Sequence, residues 1–174
     1  MALTSTTRPF GMREIKVAAF PTGTPIALPA AQTLSFSEVL TEGELRGNDS
    51  TVAVAAYTDK TEWELESGGI SLEALAIMSG RTIALTGTTP NQKNTLSIKA
   101  GDIMPYFRIF GKSVSDDGSD VHVQIRKAKL TGGIEGEFAD GEFFVQSCSG
   151  IGVSDGTAIV DFVHNETTAA LPTS

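Results

Sequence analysis

Thr61 to Gly80, TEWELESGGISLEALAIMSG, is the stretch whose reading decides the fold. Thr61, Trp63 and Leu65 alternate with Glu62, Glu64 and Glu66. A period of two gives a strand with one apolar face for a core and one acidic face for water. Ser67-Gly68-Gly69 ends that strand, because paired glycines reach backbone angles other residues avoid. Ser71 then suits a helix N-cap, and Glu73 places a carboxylate in the first turn, where the helix dipole favours it. Leu72, Leu75, Ala76 and Ser79 fall on one helical face, and Gly80 suits the C′ position. So short a helix is not stable alone, so its apolar side is expected to cap a β-rich body.

Working outward, the flanks are rich in strand signals. Residues 1–12 are polar and read as a flexible or docking arm, with a first strand at Arg13–Phe20. Ile26–Val39 reads as a longer β segment with a bulge or edge near Pro29. Residues 40–50 are charged and poor in apolar side chains, and read as an extended loop or hairpin tip, too long and charged for a tight turn. Ser50–Tyr57 is a strand of small and β-branched residues, and Asp59-Lys60 is expected to turn the chain into the acidic strand. Beyond the helix come strands at Arg81–Thr86, Asn94–Ala100, the aromatic-rich Ile103–Val114, Val121–Leu130, Gly141–Cys148 and Thr157–His164. In Val121–Leu130, Val121, Val123 and Ile125 face in while His122, Gln124 and Arg126 face out; Thr131-Gly-Gly starts a break. Residues 165–174 form a polar tail. About ten strands with turn signals between them predict a mainly β chain, a β-sandwich with one short flanking α-helix, in a single domain spanning 1–174.

Composition narrows the function classes. The chain has 174 residues and a net charge of −8 that both halves share, so no basic nucleic-acid footprint is present. One cysteine, Cys148, forms no internal disulfide and fits a reducing cytoplasm. The N-terminal MALTSTTRPFG lacks the apolar run of a signal peptide, and no segment has the roughly 18 apolar residues of a membrane helix, so no membrane partner is expected.

Catalytic constellations are scarce. His122 and His164 each lie in an alternating strand, and Cys148 sits at a strand end where a small buried thiol is the commoner outcome. Glu62, Glu64 and Glu66 are spaced about 7 Å apart along one face, too far to share one cation. Asp116–Asp120 resembles half of a calcium loop without its terminal glutamate. No phosphate loop, dinucleotide fingerprint or zinc pattern occurs. The expectation is no enzyme, no metal and no cofactor, with a structural or binding role.

Several stretches together resemble the major tail tube proteins of long-tailed (siphovirus-type) bacteriophages. They are Leu45-Arg-Gly-Asn-Asp49, Glu66-Ser-Gly-Gly-Ile-Ser-Leu-Glu73, Met78-Ser-Gly80, and Arg126-Lys-Ala-Lys-Leu-Thr-Gly-Gly-Ile-Glu135 followed by Gly141-Glu-Phe-Phe144. The resemblance spans most of residues 40–164. It implies a virion protein, made and assembled in the host bacterial cytoplasm, whose six copies close a hexameric ring. Inner sheets would join into an intersubunit barrel, and rings would stack into a helical tube conducting DNA at ejection without binding it. Implied partners are further copies of the chain, a tape-measure protein, and tail-tip and tail-terminator proteins. Glu62, Glu64 and Glu66 are then expected to face the lumen, since carboxylates repel phosphates. Glu42, Glu44, Leu45, Arg46, Asn48 and Asp49 are the expected ring-stacking loop. Alternatives are a secretion-system tube protein of the same architecture and a β-sandwich ligand-binding module. The latter usually exposes clustered aromatics, whereas Trp63 alternates into the expected core.

Overall fold

Period-two alternation dominates the chain, and in the computed structural model, which describes residues 6–172, it builds ten strands and one helix. The strands are β1 (Pro9–Ala19), β2 (Ile26–Ala27), β3 (Ala31–Gly47), β4 (Ser50–Gly68), β5 (Ile83–Thr86), β6 (Lys93–Leu96), β7 (Tyr106–Ser115), β8 (Asp120–Glu137), β9 (Val145–Gly152) and β10 (Val160–Asn165); the helix α1 spans Leu72–Ser79. All pairings are antiparallel. The main sheet runs β2-β1-β7-β8-β9-β4-β3, and β5-β6 form a small separate ribbon.

β8 is where the sheet divides. Its first half, Asp120–Ile125, pairs with β10, and its second half, Ala128–Glu137, pairs with β9. The sheet folds over, so that β3 at one end contacts β1 near the other. Two layers result, as a sandwich requires, but they are parts of one continuous sheet. Leu34 of β3 reaches across to β7, where Gly111 leaves room: a Cβ there would lie 2.7 Å from Leu34 Cδ2. Trp63 of β4 meets Phe107 of β7 edge to face with centroids 5.6 Å apart. Ile15, Val17, Leu65, Ile109 and Ile125 complete a core from which water is excluded. Each such side chain contributes about 1.5–3 kcal/mol by its burial.

The helix forms where expected. Ser71 Oγ accepts from the Ala74 N–H at 3.2 Å, and Gly80 ends the helix at φ 69°, in the left-handed region. Its buried residues are Ala74, Leu75, Met78 and Ser79, with Leu72 and Ala76 only partly buried. The expected face was therefore rotated by about one position. LEALAIMS is apolar almost all round, so its pattern does not say which side meets the sheet.

Four expectations about boundaries are corrected. Residues 40–50 are the expected hairpin tip and not the alternative loop: β3 and β4 pair from Ala31↔Ser67 to Gly47↔Ser50, with register shifts at Ala31/Thr33, Val39/Leu40 and Leu45/Arg46. The connection is a tight two-residue turn in which Asn48 and Asp49 have φ 50° and 66°, the signature of a type I′ hairpin. Asp59-Lys60 does not turn the chain; Asp59 is absorbed as a bulge opposite Val39/Leu40 within one 19-residue strand. Thr131-Gly-Gly is likewise a bulge inside β8 and not its end. Both ends are less free than their composition implies: β1 begins at Pro9, inside the expected arm, and Leu171 of the tail is buried against Ala18 and Phe110. Residues 1–5 of that arm and 173–174 of the tail lie outside the described residues.

Candidate functional site: an acidic sheet face and a projecting hairpin

Strand alternation delivers Glu62, Glu64 and Glu66 to the side of β4 away from the core, while Thr61, Trp63 and Leu65 are buried. Register fixes the neighbours. Glu62 lies between Ser37 and Ile151, Glu64 between Ser35 and Ser149, and Glu66 between Thr33 and Ser147. Glu135 of β8 continues the row beyond Ser147. The result is a face of carboxylates and hydroxyls with an open trough of about 440 Å³ over Ser35, Ser37, Glu62, Glu64, Thr131 and Ser149. Lys60 pairs with Glu62 at 3.5 Å at one end of the row. Among the described residues no three His, Cys, Asp or Glu side chains gather closely enough to hold a metal ion.

The second feature is the outer half of the β3–β4 hairpin. β9 stops at Gly152 opposite Thr61, so from Lys60 towards the turn β4 has no third strand beside it. β3 is the last strand of the sheet, and its outer edge is open along its length. Leu40, Leu45, Val52, Val54 and Tyr57 are each more than half exposed on this ribbon. Glu42, Glu44, Arg46, Asn48 and Asp49, which sequence reasoning placed here, are at its tip and along its strands. The acidic row and the hairpin thus share β3 and β4, one at the base and the other at the end of the same ribbon.

Two features gave no signal in the sequence. The first is Asp120, fully buried at the head of β8. Its carboxylate accepts from Asn165 Nδ2 and the Ala169 N–H, both at 2.7 Å, and pairs with Lys112 Nζ at 3.1 Å. Burial alone pushes its pKa up, but these three donors outweigh it and hold it down to about 2. Lys112 also donates to the Ala169 carbonyl, so two buried charges clip the C-terminal segment to the sheet. His122, expected to face water, lies under that segment with its Nε2 3.4 Å from Asp120. The second is an apolar mouth between the layers, where Phe36 of β3 meets Phe162 of β10 with centroids 5.4 Å apart.

Chemically, this surface is mainly acidic and presents unpaired backbone. Cys148 faces Met78 in the core, with Sγ 3.9 Å from Sδ, and burial with the nearby Glu64 charge pushes its thiol up to about 12. That thiol stays protonated at neutral pH and so is no nucleophile. The Asp116–Asp120 turn is closed by its own bonds, Asp117 Oδ1 accepting from the Ser119 N–H at 3.0 Å. No helix among the described residues is long and apolar enough to cross a membrane. Neither a protein-family model nor a curated protein matches the chain.

Proposed function

We propose that this chain is the self-assembling subunit of a tube of the phage-tail type, with six copies per ring and the Glu62, Glu64, Glu66 face turned to the lumen. The observation that carries the reading is the outer β3–β4 ribbon. An isolated two-stranded hairpin is marginal in water, and apolar residues stand out on it where none of the described residues covers them. A long uncovered edge invites pairing with another chain unless something blocks it. Both liabilities disappear if neighbouring copies cover them.

The acidic face supports the second half of the proposal. A channel that conducts DNA should bind it weakly, and on this wall the carboxylates Glu62, Glu64, Glu66 and Glu135 outnumber the lysines Lys60 and Lys129, so it offers phosphates little counter-charge. Tape-measure, tail-tip and terminator proteins are the partners such a tube would meet at its inside and its ends.

The test is negative-stain electron microscopy of concentrated protein beside a variant in which Glu42–Ala56 is replaced by Asn-Gly, rejoining Thr41 to Tyr57 across a two-residue turn. Wild-type tubes with a monomeric, folded variant are expected. Tubes formed equally by the variant, or a wild type that stays monomeric at every concentration, overturn the proposal.

A further inference from the structure

The mouth between the two layers is the counterpart of the hairpin. A cavity of about 340 Å³ opens there among Met12, Leu34, Phe36, Val121, Val123 and Phe162. A second, of about 390 Å³, continues past Phe36 and Phe162 towards Glu38, Thr58 and Ile159. Phe162 is 64% exposed and Phe36 38%, so the apolar wall is wet in the single chain. Among the described residues β10 pairs only with β8, which leaves its other edge open beside this mouth.

Charge selects the occupant. Pro9 and Met12 line the mouth, and the exposed Arg8 and Arg13 flank them in sequence, with no acid between residues 7 and 13. Among the described residues neither arginine makes an ion pair. On the hairpin, β3 alternates unbroken from Leu34 outward, so Leu40, Glu42 and Glu44 share one side, and Val54 lies opposite Glu44 on it. Residues 39–59 carry Glu42, Glu44, Asp49 and Asp59 against Arg46 alone, a net charge of −3. The ribbon therefore presents an apolar-acidic face to match the arginine-flanked β1 side of the mouth, with the acid Glu38 confined to the far cavity. The exposed Phe138, stacked on Phe144, lies in sequence among Glu137, Asp140 and Glu142, a run of acids that would repel the ribbon.

We infer that the mouth between β3 and β10 receives the outer β3–β4 hairpin of a second copy, with Val54 and Leu40 seated by Phe162 and with Glu42 and Glu44 meeting Arg8 and Arg13. Each copy then carries one knob and one hole, a heterologous contact that closes a ring or propagates a filament. The inference rests on the self-assembly proposed above and specifies its receiving surface.

Disulfide trapping tests it. Val54 lies nine residues beyond Trp63, the partner of Phe36, which at about 3.3 Å per residue is roughly 30 Å from Phe162 of the same chain. A Val54–Phe162 disulfide can therefore form only between copies. The variant Val54→Cys with Phe162→Cys, changed at two exposed sites, should give a reducible ladder of oligomers under mild oxidation; either single variant should not. Arg8→Glu with Arg13→Glu should cut the ladder by about tenfold or more, and adding Glu42→Arg with Glu44→Arg should restore it. Absence of the ladder, or a ladder indifferent to the charge reversals, overturns this docking. Electron microscopy of the wild type reads self-assembly separately, so tubes without the ladder leave the proposed function standing and remove only the receiving surface.

Discussion

Asp120 and Gly150 show how single positions carry disproportionate weight. Asp120 is charged and completely buried, a state tolerated only because Asn165, the Ala169 N–H and Lys112 surround it. Asp120→Asn keeps one acceptor oxygen, sets its NH2 against the other neutral donor and leaves Lys112 without a counter-charge, so unfolding stability should drop by about 3 kcal/mol, measured by urea denaturation at pH 7. Because the Asp120 pKa is held below its ordinary 3.8, at about 2, its contribution is complete above about pH 4 and is lost as pH falls towards 2. The urea midpoint of the wild type should fall across that window, and that of the variant should change less. Gly150 lies where a Cβ would press on the Lys129 carbonyl and come within 2.6 Å of Trp63 Cζ2. Gly150→Ala is therefore expected to cost about 1–3 kcal/mol by overpacking, read as a lowered thermal midpoint.

Among the elements, α1 and the hairpin make opposite demands on their surroundings. α1 is short but complete: Ser71 caps it, Gly80 stops it, and its buried side joins the core. Ser71→Ala should remove about 1 kcal/mol, again by denaturation, without touching assembly. The hairpin is regular but unfinished, since its outer half has no third strand. The alternation in Thr61–Glu66 was legible because glutamate occupies every second position and Thr61, Trp63 and Leu65 the others. In residues 40–50 Leu40 and Leu45 are five apart and glutamates fall between, so neither a helix nor a half-buried strand pattern emerges. A ribbon with no covered face has no periodicity to print on its sequence.

At the scale of the whole molecule, charge is distributed by surface. The acidic row occupies one outer face, while Lys112 and His122 on the layer around β7 and β8 lie against Asp120. If that acidic face lines a channel, replacing Glu62, Glu64 and Glu66 by lysine should make tubes retain DNA. The readout is nuclease-protected DNA sedimenting with assembled tubes, falling steeply as salt rises. Tubes of the variant that protect no DNA would place the row elsewhere.

Local composition by itself determined that the chain is mainly β, that β4 has one apolar and one acidic side, and where α1 starts and stops. These follow from near-neighbour chemistry: alternation, capping and glycine conformations. Only the tertiary structure decided that the layers are one folded sheet, that Asp120 is buried, and that the mouth stays open beside Phe36 and Phe162. Those outcomes depend on contacts between residues far apart in the chain, such as Asp120 with Ala169 or Phe36 with Phe162, and no local pattern encodes a partner that distant.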